Sequence, residues 1–148
     1  WRVIAIGRRA SRLLELKNEF SDKELYTASL DVRDRKKVRE FFDNLLPEWS
    51  KIDLVVNNAG LARGLSSIDE GEFDDWDEMI DVNLKGLLNV TRSVVPMMTR
   101  QNSGHIINVG SLAGKEVYAK GNVYCATKHA VDALTRAMRL DLTPKGLK

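Results

Sequence analysis

The sequence of 148 residues is poor in several residue types and patterns, and each shortage excludes a class of protein. A single cysteine, Cys125, excludes an internal disulfide framework and favours a reducing compartment such as the cytoplasm. The net charge is only +2, so no strong field argues for nucleic acid or an anionic membrane as a partner. No apolar run approaches the ~18 residues that span a bilayer, and no cysteine and histidine cluster has metal-ligand spacing. We therefore expect a cytoplasmic globular protein without a metal, nucleic-acid or membrane partner.

Hydrophobic periodicity indicates strands that alternate with helices. Short apolar runs predict four strands, at residues 2–6, 25–30, 52–56 and 106–109. Apolar residues at helical spacing predict four helices, at residues 11–20, 35–46, 73–100 and 124–142. The third helix is expected to bend near Val82. Alternation of this kind is typical of a parallel sheet covered on both faces, so the predicted fold class is α/β, a doubly wound Rossmann-like domain over residues 1–148.

Tyr124 and Lys128 are four residues apart in the last predicted helix, so they lie on one face, one turn from each other. A free phenol, with a pKa near ~10, is a poor acid–base catalyst at neutral pH. Lowering that pKa by about three units requires roughly 4 kcal/mol, and one unit charge at ~4 Å in an effective dielectric of ~20 supplies about that much. The pair is a candidate general acid/base, although the same spacing also fits a half-buried tyrosine beside a solvated lysine.

Three further motifs precede this pair in a fixed order. Residues 57–60 (Asn-Asn-Ala-Gly) follow the third predicted strand, Asn83 lies in Asp-Val-Asn-Leu-Lys-Gly, and residues 110–111 (Gly-Ser) follow the fourth strand. In these motifs, their order and their spacing, the sequence resembles the short-chain dehydrogenase/reductase family. Residues 58–62 and 121–124 are most similar to those of the NADP-dependent 3-hydroxy acid (serine-type) dehydrogenases.

The resemblance implies a catalytic role for four residues. Tyr124 exchanges a proton with the substrate oxygen, Ser111 hydrogen-bonds that oxygen, and Lys128 lowers the phenol pKa and binds the nicotinamide ribose. Asn83 helps to hold a water that links Lys128 to solvent. Taken alone, Ser111 would be a turn serine and Asn83 a polar residue at a helix bend. The cofactor, rather than any of these groups, carries the hydride.

The resemblance also implies a cofactor-binding set at the ends of the strands. The segment after the third strand packs beside the adenosine part of the cofactor, and the residues after the second strand contact the adenine ring. Asp31 has the alternative, and compatible, role of an N-cap for the next helix. The candidate cofactor-binding residues are Arg8 and Arg9, from the chemistry of their side chains, and, by the resemblance, Asp31, Val32, Asn58, Ala59, Gly60, Tyr124 and Lys128.

Arg8 and Arg9 follow the first predicted strand, where a carboxylate would bind the ribose 2′-OH of NAD. Guanidinium groups suit a phosphate instead, by charge and by their forked geometry. The alternative is a solvated basic first turn, but cations at a helix N-terminus oppose the helix dipole. NADP(H) is therefore the preferred cofactor, and NAD(H) is less favoured.

No glycine-rich phosphate-binding turn precedes Trp1, although a dinucleotide-binding fold carries one after its first strand. The resemblance implies that the sequence begins at the second strand of the family fold and stops at Lys148, before the sixth strand and the substrate loop. We therefore expect a portion of the domain that is incomplete at both ends, with a gap at the centre of its sheet.

Two surface features have a structural interpretation. Eight acidic residues between positions 69 and 81 resemble a hard-cation site in number, but fit better as acids that complement a helix N-terminus. Alanines at positions 126, 130, 133 and 137 form a stripe that permits close helix packing. The resemblance implies a homodimer or homotetramer through the helices at 73–100 and 124–142.

The leading hypothesis is an oxidoreductase that transfers a hydride between NADP(H) and a small 3-hydroxy acid, serine-like in type, or its carbonyl partner. One alternative is a carbonyl reductase of the same family for another ketone, sugar or acyl substrate. A non-catalytic NADP-binding module and a structural oligomerisation element are further alternatives, and the combined presence of four catalytic-type residues argues against both. Candidates for the lining of the substrate pocket are Leu61, Ala62, Leu112, Glu116 and Tyr118.

Overall fold

The computed structural model describes all 148 residues, and strands alternate with helices along the chain. The strands are β1 (Val3–Gly7), β2 (Leu25–Ser29), β3 (Leu54–Asn57) and β4 (His105–Asn108). The α-helices are α1 (Ala10–Glu19), α2 (Arg35–Asp43), α3 (Phe73–Ile80), α4 (Leu87–Gln101) and α5 (Asn122–Leu142). Three short 3₁₀ helices cover Pro47–Trp49, Leu112–Gly114 and Thr143–Lys145. None of the helices combines the length and the apolar character needed to cross a bilayer.

The four strands form two separate parallel pairs. β1 pairs with β2 from Val3 and Leu25 onward, and β3 pairs with β4 from Leu54 and His105 onward. β1 and β3 are not paired with each other, so the predicted gap at the centre of the sheet is confirmed. Parallel pairing across helical connections agrees with the predicted α/β class.

The two faces of the β3–β4 pair differ in burial. Val55 and Ile106 pack against the main core, whereas their neighbours on the opposite face, including Val56 and Ile107, are exposed. Successive side chains of a strand point to opposite faces, so this alternation means that the helices of this chain cover one face of the pair.

The main core lies between α2, α4 and the end of α5. Val38 and Phe42 of α2, and Val90, Val94 and Met98 of α4, recur at intervals of four residues and face each other. Burying one such side chain contributes about 1.5–3 kcal/mol. The remaining members of this cluster are Leu30, Ile52, Leu142 and Leu147.

The ends of α2 are set by polar side chains. Asp34 is the N-cap, since its carboxylate accepts a hydrogen bond of 3.0 Å from the amide of Lys37. The alternative prediction that Asp31 caps this helix is wrong. Asn44 ends the helix three residues before the predicted end, because its backbone and side-chain amides both donate to the carbonyl of Glu40.

The predicted bend near Val82 is a π-helical turn, Asp81–Gly86, between α3 and α4. A side chain at Gly86 would place its Cβ 2.6 Å from Cγ2 of Val32, so glycine allows this turn to pack directly on the segment after β2. Single π turns inside α-helices occur frequently at functional sites. Asn83 lies in this turn.

Candidate active site

Lys128 lies at the centre of the predicted catalytic residues. It is 8% exposed, and its Nζ donates a hydrogen bond of 3.0 Å to the carbonyl of Val109, just after β4. The same Nζ is 6.0 Å from the ring centre of Tyr124, one turn earlier on α5. The fold therefore fixes the ammonium group between the end of β4 and the phenol.

The segment that follows β3 approaches this pair. A Cβ on Gly60 would lie 3.3 Å from Oδ1 of Asn83 and 3.7 Å from Nζ of Lys128, so glycine permits the close approach. Asn58 and Ala59, together with Gly60, are exposed and form an open ledge at the carboxyl end of the strand. Ligands bind at this end of the strands in open α/β sheets.

Asn83, which is 2% exposed, uses its side chain to hold two neighbouring segments. Its Oδ1 accepts a hydrogen bond of 2.9 Å from the amide of Leu61, and its Nδ2 donates to the carbonyl of Leu61 at 2.9 Å. Nδ2 also donates to the hydroxyl of Thr127 at 3.0 Å, and that hydroxyl donates to the carbonyl of Tyr124 at 2.8 Å. The side chain of Asn83 is therefore engaged in positioning the loop after β3 relative to α5.

Ser111 begins the 3₁₀ helix Leu112–Gly114. Its Oγ accepts a hydrogen bond of 3.2 Å from the amide of Ala113, which leaves the hydroxyl proton free to be donated elsewhere. A Cβ on Gly114 would lie 2.6 Å from the carbonyl oxygen of Lys128. This contact packs the 3₁₀ helix on α5 and fixes Ser111 relative to the helix that carries Tyr124.

A buried amide network lies beneath the site, and its role was not predicted from the sequence. Nδ2 of Asn57 donates to Thr91 at 3.0 Å and to Oδ1 of Asn108 at 2.9 Å. Nδ2 of Asn108 in turn donates to the hydroxyl of Thr135 at 2.9 Å. The network joins β3, β4, α4 and α5. The sequence signal that could have predicted this network is the asparagine at the end of each of two apolar strands, Asn57 and Asn108.

Arginines from three segments converge on Glu78 of α3. Its carboxylate lies 3.2 Å from Arg8, 3.6 Å from Arg33 and 2.9 Å from Arg63. The Arg8 hydrogen bond, followed by the charge and hydrogen bond of Arg63, lowers the pKa of Glu78. Arg33 also pairs with Asp31 at 2.7 Å and lowers its pKa. Of these residues, only Arg8 and Asp31 were predicted as site residues.

Val32, predicted to contact the adenine ring, is held in place by α4. Its carbonyl accepts a hydrogen bond of 2.9 Å from Nδ2 of Asn89, a buried residue of that helix. The methyl groups of Val32 rest on Gly86. The segment after β2 is therefore anchored at one point by a polar contact and at another by close packing.

A cavity of about 90 Å³ opens beside Tyr124, between the loop at residues 62–66 and the start of α5. Ala62 and Tyr118 line it as predicted, whereas Leu61, Leu112 and Glu116 do not. Desolvation raises the pKa of the Tyr118 phenol, with further contributions from Cys125 and Tyr124. The charged residues of the lining, which were not predicted, are Arg63, Glu72, Asp75 and Lys120.

The acidic segment at residues 69–81 has the structural arrangement predicted for it. Asp74 and Asp75 lie in the first turn of α3, where negative charge complements the helix dipole. Asp81 pairs with Lys85 at 2.7 Å across one turn. No group of three or more metal-ligating side chains has the geometry of a metal site.

Comparison with protein families adds an independent result. The model of the short chain dehydrogenase family matches residues 1–148. The NADP-dependent 3-hydroxy acid dehydrogenase YdfG of Escherichia coli is 51% identical over 141 residues, which cover 95% of this chain and 56% of that protein. Sulfoacetaldehyde reductase 2 of Chromohalobacter salexigens is 41% identical, over 100% of this chain and 60% of that protein. The chain thus spans just over half the length of these relatives.

Comparison with solved structures gives the same result. The crystal structure of serine dehydrogenase from Escherichia coli superimposes with a TM-score of 0.95 at 49% identity, over 99% of this chain and 67% of that one. The closed form of serine dehydrogenase complexed with NADP+ gives a TM-score of 0.92 at 50% identity, over 95% of this chain and 56% of that one. Fold, motif order and relatives agree, and the chain belongs to the short-chain dehydrogenase family.

Proposed function

We propose that this chain supplies the catalytic residues of an NADP(H)-dependent oxidoreductase that interconverts a small, serine-like 3-hydroxy acid and its carbonyl partner. The observation that carries the proposal is the grouping of Tyr124, Lys128 and Gly60 at the ends of β3 and β4, beside a small cavity. The names of the relatives support it, since they include an NADP-dependent 3-hydroxy acid dehydrogenase and a serine dehydrogenase.

Tyr124 is the proton-transferring group in this proposal. During oxidation it removes the hydroxyl proton of the substrate, and during reduction it donates that proton to the carbonyl oxygen. Lys128 holds a positive charge beside the phenol and stabilises the negative charge that develops on it. Ser111 donates its free hydroxyl proton to the same substrate oxygen, and Asn83 positions the loop and the helix around it. When bound, NADP supplies the chemistry of hydride transfer.

Several exposed residues fit a phosphorylated dinucleotide. Arg9 stands at the N-terminus of α1, where the first turn contains no acid and no ion pair neutralises the guanidinium. Arg8 is half-exposed beside it, so a phosphate would compete with Glu78 for this arginine. The ledge formed by Asn58, Ala59 and Gly60, and the segment Asp31-Val32, would take the adenosine part. The serine dehydrogenase complex with NADP+ supports this cofactor preference.

The test is a steady-state assay of the full-length protein, followed by the near-ultraviolet absorbance of the reduced cofactor. NADP, and separately NAD, is offered with L-serine, 3-hydroxypropionate and 3-hydroxyisobutyrate. We expect reduction of NADP with at least one acid and a lower rate with NAD. Failure of all three acids, with NADPH binding intact, would remove the substrate class and retain the cofactor.

A second candidate is the reduction of another short anionic aldehyde. Its support is the 41% identity to sulfoacetaldehyde reductase 2, together with the small cavity and its two cationic side chains. NADPH consumption with sulfoacetaldehyde, compared with an uncharged aldehyde of similar length, distinguishes this candidate from a general carbonyl reductase.

We also propose that the protein is a cytoplasmic homodimer or homotetramer assembled through helices 73–100 and 124–142. Ala126, Ala133 and Ala137 of α5 are exposed along one stripe, and Leu140 near its end is 78% exposed. Cys125 is buried and unpaired, which agrees with a reducing compartment. Light scattering of the full-length protein should give a dimer or tetramer, and Ala133→Arg should shift it toward the monomer; a monomeric wild type would overturn this assembly.

A further inference from the structure

Two pairs of oppositely charged side chains line the cavity beside Tyr124. Arg63 and Lys120 are the cations, and Glu72 and Asp75 are the acids. Of these four residues, only Arg63 takes part in an ion pair, through its Nε to Glu78. Lys120, Glu72 and Asp75 have no partner within the protein. Lys120 and Glu72 are exposed, and Asp75 is half-buried. Charges of both signs that the protein leaves available around one small space suit a ligand that carries both signs itself.

Lys120 is held at the mouth of the cavity in an unusual conformation. Its φ is 66°, in the left-handed region that non-glycine residues adopt at an energetic cost. The next residue, Gly121, is buried, and a side chain there would collide with the ring of Tyr118. Lys120 is the third residue of a turn that the amide of Gly121 closes on the carbonyl of Tyr118 at 3.1 Å. The backbone thus presents an unpaired ammonium only four residues before Tyr124.

Arg63 offers a second cation on the opposite wall. Its Nε donates a hydrogen bond of 2.9 Å to Glu78, which orients the guanidinium, while the two terminal nitrogens make no hydrogen bond in the protein. A guanidinium with both terminal nitrogens free suits a carboxylate. Arg63 and Lys120 together can therefore take the carboxylate of a small acid.

Asp75 supplies the opposite charge. It is half-buried in the first turn of α3, and its Oδ2 lies 3.0 Å from the position of a Cβ on Gly64. Gly64 has a φ of 63°, which lets the loop fold against this carboxylate. The neighbouring Asp74 lies in the same helical turn but is exposed and does not line the cavity. The helix dipole accounts for both Asp74 and Asp75, but of these two only Asp75 lines the cavity.

The size of the cavity suits a small ligand. Its volume is about 90 Å³, several times the ~10–15 Å³ that one water requires on the same scale. A three-carbon acid is therefore a suitable occupant. A 3-hydroxy acid without an amino group would place only negative charge near Asp75. An amino acid zwitterion has an ammonium group for Asp75 and a carboxylate for Arg63 and Lys120.

We infer that this cavity binds a 3-hydroxy-2-amino acid, with Lys120 and Arg63 on its carboxylate and Asp75 on its ammonium group. The inference rests on the proposed function, because it places the hydroxyl of that substrate at Tyr124. Lys120 and Asp75 are then specificity-determining residues: the first selects for a carboxylate, and the second selects serine-like substrates over deaminated ones.

The experiment compares KM and kcat for L-serine and 3-hydroxypropionate, with NADP, in full-length wild type and four variants. Lys120→Asn removes the charge but keeps a residue that tolerates the left-handed region. It should raise KM for both acids by about ten- to a hundredfold, the size expected for losing a charge-assisted hydrogen bond. Lys120→Arg keeps the positive charge and should therefore leave both KM values close to those of wild type. Asp75→Asn should raise KM for L-serine by about tenfold or more and leave 3-hydroxypropionate unchanged or improved. Asp74→Asn is the matched control and should alter neither.

Three results would overturn the inference. If Lys120→Asn leaves both KM values unchanged while the wild type oxidises L-serine, the carboxylate assignment is wrong and the proposed function stands. If Asp75→Asn shifts both substrates equally, or if Asp74→Asn has the same effect, the ammonium assignment is wrong. If the wild type oxidises neither acid, the proposed function fails and this inference fails with it. Thermal unfolding of each variant identifies any loss caused by misfolding.

Discussion

Nδ2 of Asn83 and Oγ1 of Thr127 are joined by a buried hydrogen bond of 3.0 Å. This bond connects the π-helical turn to α5 at the residue directly before Lys128. Because Asn83 also holds both backbone polar groups of Leu61, one amide side chain sets the distance between the loop after β3 and α5.

Thr127→Val tests how much this hydrogen bond contributes to stability and to kcat. The substitution keeps the shape of the side chain but leaves the Asn83 amide without one acceptor, at a cost of about 1–3 kcal/mol. We expect a lower melting temperature, by ~2–4 °C per kcal/mol for a protein of about 150–250 residues, and a reduced kcat. Thr127→Ser keeps the hydroxyl and serves as the control. Equal stability of the valine and serine variants would contradict this role.

Tyr124→Phe should remove turnover and leave cofactor binding intact. General acid–base catalysis contributes about 10²–10⁴-fold to rate, so kcat should fall by at least about a hundredfold. Fluorescence titration with NADPH should give a Kd close to that of wild type. Tyr26→Phe, on β2 in the other strand pair, is the control. Substantial activity in the Tyr124 variant would exclude the phenol as the proton-transferring group.

Arg9→Gln should weaken NADP more than NAD. The guanidinium stands unpaired at a helix N-terminus, where it is suited to the phosphate that distinguishes the two cofactors. Loss of a charge-assisted contact of about 1.5–3 kcal/mol corresponds to roughly a ten- to a hundredfold rise in KM for NADP. Arg12→Gln, a neighbouring arginine that pairs with Glu15, is the control. An equal rise in KM for both cofactors would mean that Arg9 does not bind the phosphate that distinguishes them.

Glu78→Gln should change how stability depends on pH. The arginines hold the pKa of Glu78 below its ordinary value of 4.5. Such a carboxylate adds stability above the ordinary value and loses it as the pH falls through the lowered pKa of the folded state. The variant should therefore unfold at lower denaturant concentration at neutral pH, and the difference from wild type should shrink below pH 4.5. Urea titrations of wild type and variant across this range measure the difference, and a difference that stays constant below pH 4.5 would contradict this role of Glu78.

Gly114→Ala should disturb the site through packing alone. Its Cβ would lie 2.6 Å from the carbonyl oxygen of Lys128, so the 3₁₀ helix has to move away from α5. Overpacking of this type costs about 1–3 kcal/mol, and thermal unfolding should show the loss. Gly110→Ala is the control, since nothing lies within 4 Å of its Cβ position. Equal stability of the two variants would contradict the contact.

Local patterns in the sequence were sufficient for much of the fold and the site. All four strands lie within two residues of their predicted ranges, and the bend near Val82 is the observed π turn. The shared face of Tyr124 and Lys128 follows from helical periodicity. Strand-end segments such as that of Gly60 come together because the carboxyl ends of parallel strands meet at one edge.

Other contacts depend on distances that no local pattern encodes. Arg8 and Glu78 are separated by 70 positions and meet only in the folded chain. Asp31 was the predicted cap of α2, whereas the structure has Asp34 in that position, and the backbone at the start of the helix decides which carboxylate reaches the amide of Lys37. The left-handed backbone of Lys120 belongs to a turn that the amide of Gly121 closes on the carbonyl of Tyr118.

The π turn at Asp81–Gly86 also fixes the rotational phase of α4. An α-helix advances by about 100° per residue, and the wider π turn takes up one extra residue, so the residues after it keep the phase of a regular helix that is one residue shorter. Deleting one residue there should give a regular helix with Asn89, Val94 and Met98 still facing the interior, whereas winding the same residues as α-helix would turn them away from it by about 100°. The orientation of Asn83 toward α5 and the packing of α4 in the core are thus two results of one local irregularity.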